Sequence, residues 1–106
     1  MKKKRIKIPD KVTAEILFLC RNTCCICGSQ FIPLHIHHID ENPSNNEIDN
    51  LIPLCLNCHA NVHSKSNMGI SYSKLLLEKY RSWCINFYKD ANEEAKKIFI
   101  RKRLGN

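Results

Sequence analysis

All five histidines of the chain fall between His35 and His63, in HIHHIDENPSNNEIDNLIPLCLNCHANVH, where they surround the couple Cys55-x-x-Cys58. Imidazole and thiolate are the side chains that bind divalent transition metals best. A stretch this dense in both constrains the fold before any other feature does, because the backbone must bring these donors together around metal. The earlier Cys24-x-x-Cys27 adds a second couple. Two such couples are the ligand set of a closed tetrahedral zinc site. Gly28, directly after Cys27, allows the tight turn that brings backbone N–H groups toward the sulfurs. Cys25 is spaced wrongly to partner Cys27, and with Cys20 and Cys84 it reads as a spare thiol.

The separation of Cys27 from Cys55 exceeds the roughly 15–20 residues of a simple four-cysteine ribbon. The inserted chain carries histidines. His37, His59 and His63 make three ligands and leave positions open, which distinguishes a catalytic metal site from a structural one. His59 and His63 are four apart, so a helix over CLNCHANVHSK places both on one face. LHIHHI reads as a strand, with Leu34, Ile36 and Ile39 among the histidines, and the run Asn42 to Asn46 as the turn after it. A second short strand is expected from about Asn50 to Pro53.

These elements in this order, HHI, then Asn50-Leu51, then LCxxCHxxxH, resemble an HNH endonuclease of the ββα-metal type with flanking zinc-binding cysteines, over roughly Cys24 to His63. The resemblance implies an α+β fold: a small zinc-stabilised ββα-metal core flanked by N-terminal and C-terminal helices. It implies metal-dependent hydrolysis of phosphodiester bonds in DNA. His38 becomes the general base that activates water, Asn50 the residue that stiffens the loop between the strands, and His59 and His63 metal ligands. His37 stands where many members carry Asp, and imidazole is an accepted substitute in related nucleases. The expected cofactors are structural zinc on Cys24, Cys27, Cys55 and Cys58, and one divalent catalytic ion (Mg, Mn, Ni or Zn) on His37, His59 and His63.

A base at His38 suits the unperturbed imidazole pKa of about 6.5. Neighbouring strand residues point to opposite faces, so His37 on metal and His38 on water call for a twist or irregularity at the strand end. His35 shares a strand face with His37 and is an alternative ligand, though it is read first as solvated or touching phosphate.

The 106 residues are expected to form one domain, with a basic arm over 1–9, the zinc and ββα-metal core over 10–70 and a C-terminal helical segment over 71–106. The net charge of +7 is concentrated at the two ends. Lys2, Lys3, Lys4, Arg5 and Lys7 at one end and Arg101, Lys102 and Arg103 at the other are the candidate nucleic-acid contacts, suited to holding duplex DNA by its phosphates. No apolar run could serve as a signal peptide or span a bilayer, so the chain reads as cytoplasmic, without a membrane partner and without a disulfide framework. Two other readings compete with the nuclease. A catalytically inactive, zinc-stabilised nucleic-acid-binding module leaves the histidine set without a task, and a zinc adaptor leaves both histidines and basic arms idle.

Flanking helices complete the reading. Val12, Ile16, Leu19 and Cys20 predict a helix from about Asp10 to Arg21, capped by Asp10 or Thr13. Asn67-Met68-Gly69 should end the histidine helix. A further helix from Ser71 or Ser73 buries a stripe of Leu76, Tyr80, Trp83 and Phe87. Lys89 to Glu93 marks a break, with Asp90 and Glu93 as a capping box for a separate basic helix containing Ile98 and Phe99.

Overall fold

The computed structural model describes residues 6–64 and 72–105, with backbone alone at positions 92, 96, 99, 100 and 103–105. The order of elements is α1 (Asp10–Leu19), β1 (Leu34–His38), a 3-10 turn (Ile48–Asn50), β2 (Leu51–Cys55), α2 (Leu56–His63) and α3 (Lys74–Gly105). Helices combine with a two-stranded antiparallel sheet, so the α+β class and the ββα order β1-β2-α2 are both present. The register runs from Leu34↔Cys55 to His38↔Leu51. β2 packs against α1 as well as α2, which buries all five of its residues, whereas β1 alternates more openly. Nearly half of the buried apolar residues are cysteines; the others include Ile16, Ile39, Leu51, Ile52, Leu54 and Leu77.

α1 stops two residues earlier than its periodicity suggests, because Arg21 and Asn22 both adopt positive φ, which no helix can continue through. Neither Asp10 nor Thr13 caps it. Pro9 occupies the N-cap and its carbonyl accepts from Val12 and Thr13, leaving Asp10 in the first turn, ion-paired with Lys7 on the surface. β2 begins after Asn50 and runs to Cys55, since Asn50 belongs to the 3-10 turn and Cys55 caps the next helix. α2 ends at His63, with Ser64 extended; Asn67 to Gly69 lie outside the described residues.

α3 corrects two expectations. It is one continuous helix through Lys89–Glu93, where the sequence offers neither Gly nor Pro to interrupt it, so no capping box forms. Its buried face is also rotated from the expected stripe. Leu77 and Cys84 are buried, whereas Trp83 is 66% and Phe87 51% exposed, with their rings stacked at 5.3 Å. Both aromatics line an open groove of about 750 Å³ between α3 and the Cys24–Gly28 loop. Ser73 caps the helix, its Oγ accepting from Leu76 N–H. Beyond Arg81, which touches the sheet, the 20 residues to Arg101 extend about 30 Å at the usual rise. Among the described residues, no helix is long and apolar enough to cross a membrane.

Candidate metal centre and histidine site

The two cysteine couples meet. Cys24, Cys27, Cys55 and Cys58 place their Sγ atoms within 4.8 Å of one another, with Cys27 and Cys55 3.8 Å apart. The first couple sits on a turn closed by Gly28 N–H donating to Cys24 O, and Gly28 adopts φ +80°, which a side chain would strain. The second couple spans the junction of β2 and α2, where Cys55 Sγ accepts from Cys58 N–H at the helix start. Hydrogen bonding to Ser29, first its side chain and then its backbone, holds the Cys27 thiol down at about 6, while burial pushes the Cys24 thiol up. The donors, their spacing and the donated N–H suit zinc, and this four-sulfur cluster could hold it.

The histidines form a second cluster, because β1 lies along α2. His37 faces the helix, and His59 and His63 project from one side of it toward the strand. Ring centroids are 5.3 Å apart for His37 and His59, 5.0 Å for His37 and His63, and 4.6 Å for His59 and His63. His59 Nε2 and His63 Nε2 approach to 2.9 Å. His37 Nε2 is buried with no hydrogen-bond partner, an unsatisfied nitrogen at the point where the three rings converge. A buried polar atom without a partner costs free energy, and a metal bond would satisfy it. Burial first, then the neighbouring His63, His59 and His38, hold the His37 imidazole down at about 4, neutral and able to ligate at physiological pH. His35 is not merely solvated: its Nδ1 lies 3.0 Å from Nδ1 of His59, the ring nitrogen other than the one that faces His63.

The depressed His37 value has a measurable consequence. The unfolded chain takes up this proton near pH 6.5 and the folded chain only near pH 4, so the stability that neutral His37 contributes is present above about 6.5 and is lost as pH falls toward 4. The gap in unfolding free energy between the protein and its His37→Asn variant should narrow over that window. A constant gap in pH-dependent denaturant titrations would show that His37 titrates normally.

His38, the last residue of β1, points away from the cluster and is nearly buried. The register continues unbroken to His38↔Leu51, so the irregularity expected at the strand end is absent from the strand itself; the chain turns after it, with Glu41 at φ 62°. His38 Nε2 lies 2.9 Å from Asn46 Oδ1. Asn46 Nδ2 donates to Ile6 O at 3.0 Å and to Lys7 O at 3.3 Å. Two carbonyl acceptors fix which end of the amide carries nitrogen, so Oδ1 must face His38 and accept a proton from Nε2. The neutral ring then leaves Nδ1 unprotonated.

Asn50 is buried and fully engaged. Its Nδ2 donates to Asp40 Oδ1 and Asn45 O, and its Oδ1 accepts from Asp40 N–H, stitching the end of β1 to the loop that returns to β2. Asp40 is held down to about 2, chiefly by the Asn45 side chain. Arg81 clamps the same loop from α3, donating to Leu51 O at 2.9 Å and Ile48 O at 3.0 Å. Beside His37 opens a groove of about 440 Å³ whose lining includes Asp40, Tyr72 and Lys74.

The candidate phosphate contacts lie elsewhere. Arg101 and Lys102 are exposed near the end of α3; Lys7 is exposed beside Asp10; Lys2, Lys3, Lys4 and Arg5, and the side chain of Arg103, lie outside the described residues. Sequence reasoning missed Asn46, the link between His35 and His59, and Arg81. Asn46 carried a signal as one polar residue among several in the turn-rich run, and His35 carried one in the strand face it shares with His37.

With the geometry established, the family comparison decides the class: the family model for HNH endonuclease matches residues 24–65, the span that carries both clusters. Residues 24–65 are an HNH endonuclease domain. The chain is also 52% identical over 70 residues to H-N-H endonuclease F-TflIV of Escherichia phage T5, an alignment covering 59% of this chain and 30% of that protein. The chain thus spans under a third of the length of this relative. No solved structure gives a significant match. The HNH domain contains all four cysteines of the sulfur cluster and all five histidines.

Proposed function

We propose that this chain is a metal-dependent endonuclease that hydrolyses phosphodiester bonds in DNA. The observation that carries the reading is the unsatisfied Nε2 of His37, buried where His59 and His63 converge on it. A divalent ion held by these three imidazoles would neutralise charge on the phosphoryl oxygens and stabilise the departing oxygen. Three nitrogen donors suit Zn, Ni or Mn, and phosphoryl chemistry also commonly uses Mg. His38 accepts the proton of the attacking water at Nδ1, the nitrogen left free by the bond from Nε2 to Asn46. Asn50, with Asp40 and Arg81, holds the loop that presents Asn46. Lys7, Arg101, Lys102 and the basic residues outside the described region grip a duplex by its phosphates, which requires no sequence reading.

Plasmid DNA incubated with the purified protein and a panel of divalent ions should be nicked or linearised, and chelation should stop it. Binding without cleavage under every ion would replace the nuclease with an inactive nucleic-acid-binding module.

Two further expectations concern Asn46. Asn46→Ala should lower cleavage by about 10–100-fold, the range for losing a partner that orients a functional histidine, with DNA affinity unchanged. An equal loss in affinity would assign Asn46 to DNA contact. Truncation should separate the basic arm into two parts. Removing residues 1–5 should weaken binding and reduce its log–log salt slope by about 0.9 for each phosphate no longer neutralised, with turnover at saturating DNA preserved. Removing residues 1–7 should cost turnover as well, since Ile6 and Lys7 carbonyls hold Asn46. Equal turnover in the two truncated proteins would mean that the tether is dispensable.

A further inference from the structure

Cys20, Cys25 and Cys84 belong to neither cluster of the HNH domain's chemistry, yet the fold gathers them from three places: the turn that ends α1, the loop of the first cysteine couple, and α3. Their Sγ atoms lie within 4.8 Å of one another, and those of Cys20 and Cys25 are 3.6 Å apart. All three are buried, with exposures of 0%, 5% and 2%, and Cys25 and Cys84 reach the wall of the open groove between α3 and the Cys24–Gly28 loop.

Three sulfurs bonded at about 2.3 Å around one ion in a trigonal plane stand about 4.0 Å apart, inside the 4.8 Å that contains this cluster. Zinc is a poor fit. Its closed sites take four protein ligands and its open sites complete the shell with water. Here no fourth Cys, His, Asp or Glu joins the group among the described residues, and little of the three side chains is exposed to water. Thiolates select soft ions, and one content with three sulfurs suits a buried all-sulfur site best.

We propose that Cys20, Cys25 and Cys84 form a second thiolate site, which takes a soft thiophilic ion of the Cu(I) class on three sulfurs. Occupied, it clamps the end of α1 and the face of α3 onto the loop that presents Cys24 and Cys27. The zinc cluster and the three-sulfur cluster share that loop, since Cys25 lies between the ligands of the other.

The test uses the full chain carrying zinc, titrated without oxygen with Cu(I) supplied from a chromophoric chelator, followed by desalting and elemental analysis. The expected result is one copper bound per chain with zinc retained, a copper X-ray absorption spectrum fitted by three sulfurs and no nitrogen, and loss of that copper in Cys84→Ser and in Cys20→Ala. Zinc content and circular dichroism report whether each variant folds. Should both fail to fold, the spectrum of the unsubstituted protein decides alone. Failure to take copper from the chelator, copper gained only as zinc is expelled, nitrogen in the copper shell, or undiminished uptake by folded variants would each overturn the site and leave three buried thiols that serve packing.

Discussion

Replacing His38 with alanine should lower DNA cleavage by about 10²–10⁴-fold, the range typical of a lost general base. The side chain stands apart from the three converging imidazoles, so metal at those rings and at the sulfurs should be retained. Affinity for DNA should also persist, because the proposed phosphate contacts lie on the arm and the far end of α3. A fall in the turnover number with little change in apparent affinity is the signature of an interaction made only in the transition state. Single-turnover cleavage with binding measured in parallel makes the distinction, and a variant that cuts at the normal rate would remove His38 from the mechanism.

The second large effect is expected from Cys24→Ser combined with Cys55→Ser. These substitutions take one sulfur from each couple and leave two ligands, too few to close a tetrahedron. Structural zinc contributes an apparent 10–16 kcal/mol or so in isolated zinc-finger peptides, as much as the roughly 5–15 kcal/mol by which whole domains are stable. Cys55 also caps α2 with its sulfur, and His59 follows Cys58 directly, so the histidine cluster depends on the same junction. The variant should lose zinc and its cooperative melting transition together. Unchanged zinc content with an unchanged melt would show that the four thiols are merely buried.

The residues that gather in the two clusters were readable because their chemistry and spacing are local. Cys-x-x-Cys and His-x-x-x-His each fit one turn or one helix face, and β1 needed only to pass α2 to bring His37 to them. What could not be read depended on contacts distant in sequence or made to backbone. Asn46 owes its role to carbonyls of Ile6 and Lys7, about forty residues earlier, and Arg81 binds carbonyls of Ile48 and Leu51, which carry no side-chain signature. The face of α3 was misjudged because two stripes obey helical spacing. Trp83 and Phe87 weigh more by hydrophobicity, but Leu77 and Cys84 meet the sheet and α1. The spare thiols looked spare because nothing in their spacing shows that α3 returns over the end of α1.

The bond between Asn46 and the first described residues also governs when the protein can act. If His38 is the base, it can present a fixed unprotonated nitrogen to water only with the segment before α1 docked against the loop between the strands. A chain with that segment frayed would keep both clusters but would have no fixed tautomer at His38. On the proposed mechanism, competence would then hang on a short peripheral contact, so a copy in which that contact has opened could bind DNA without cutting it.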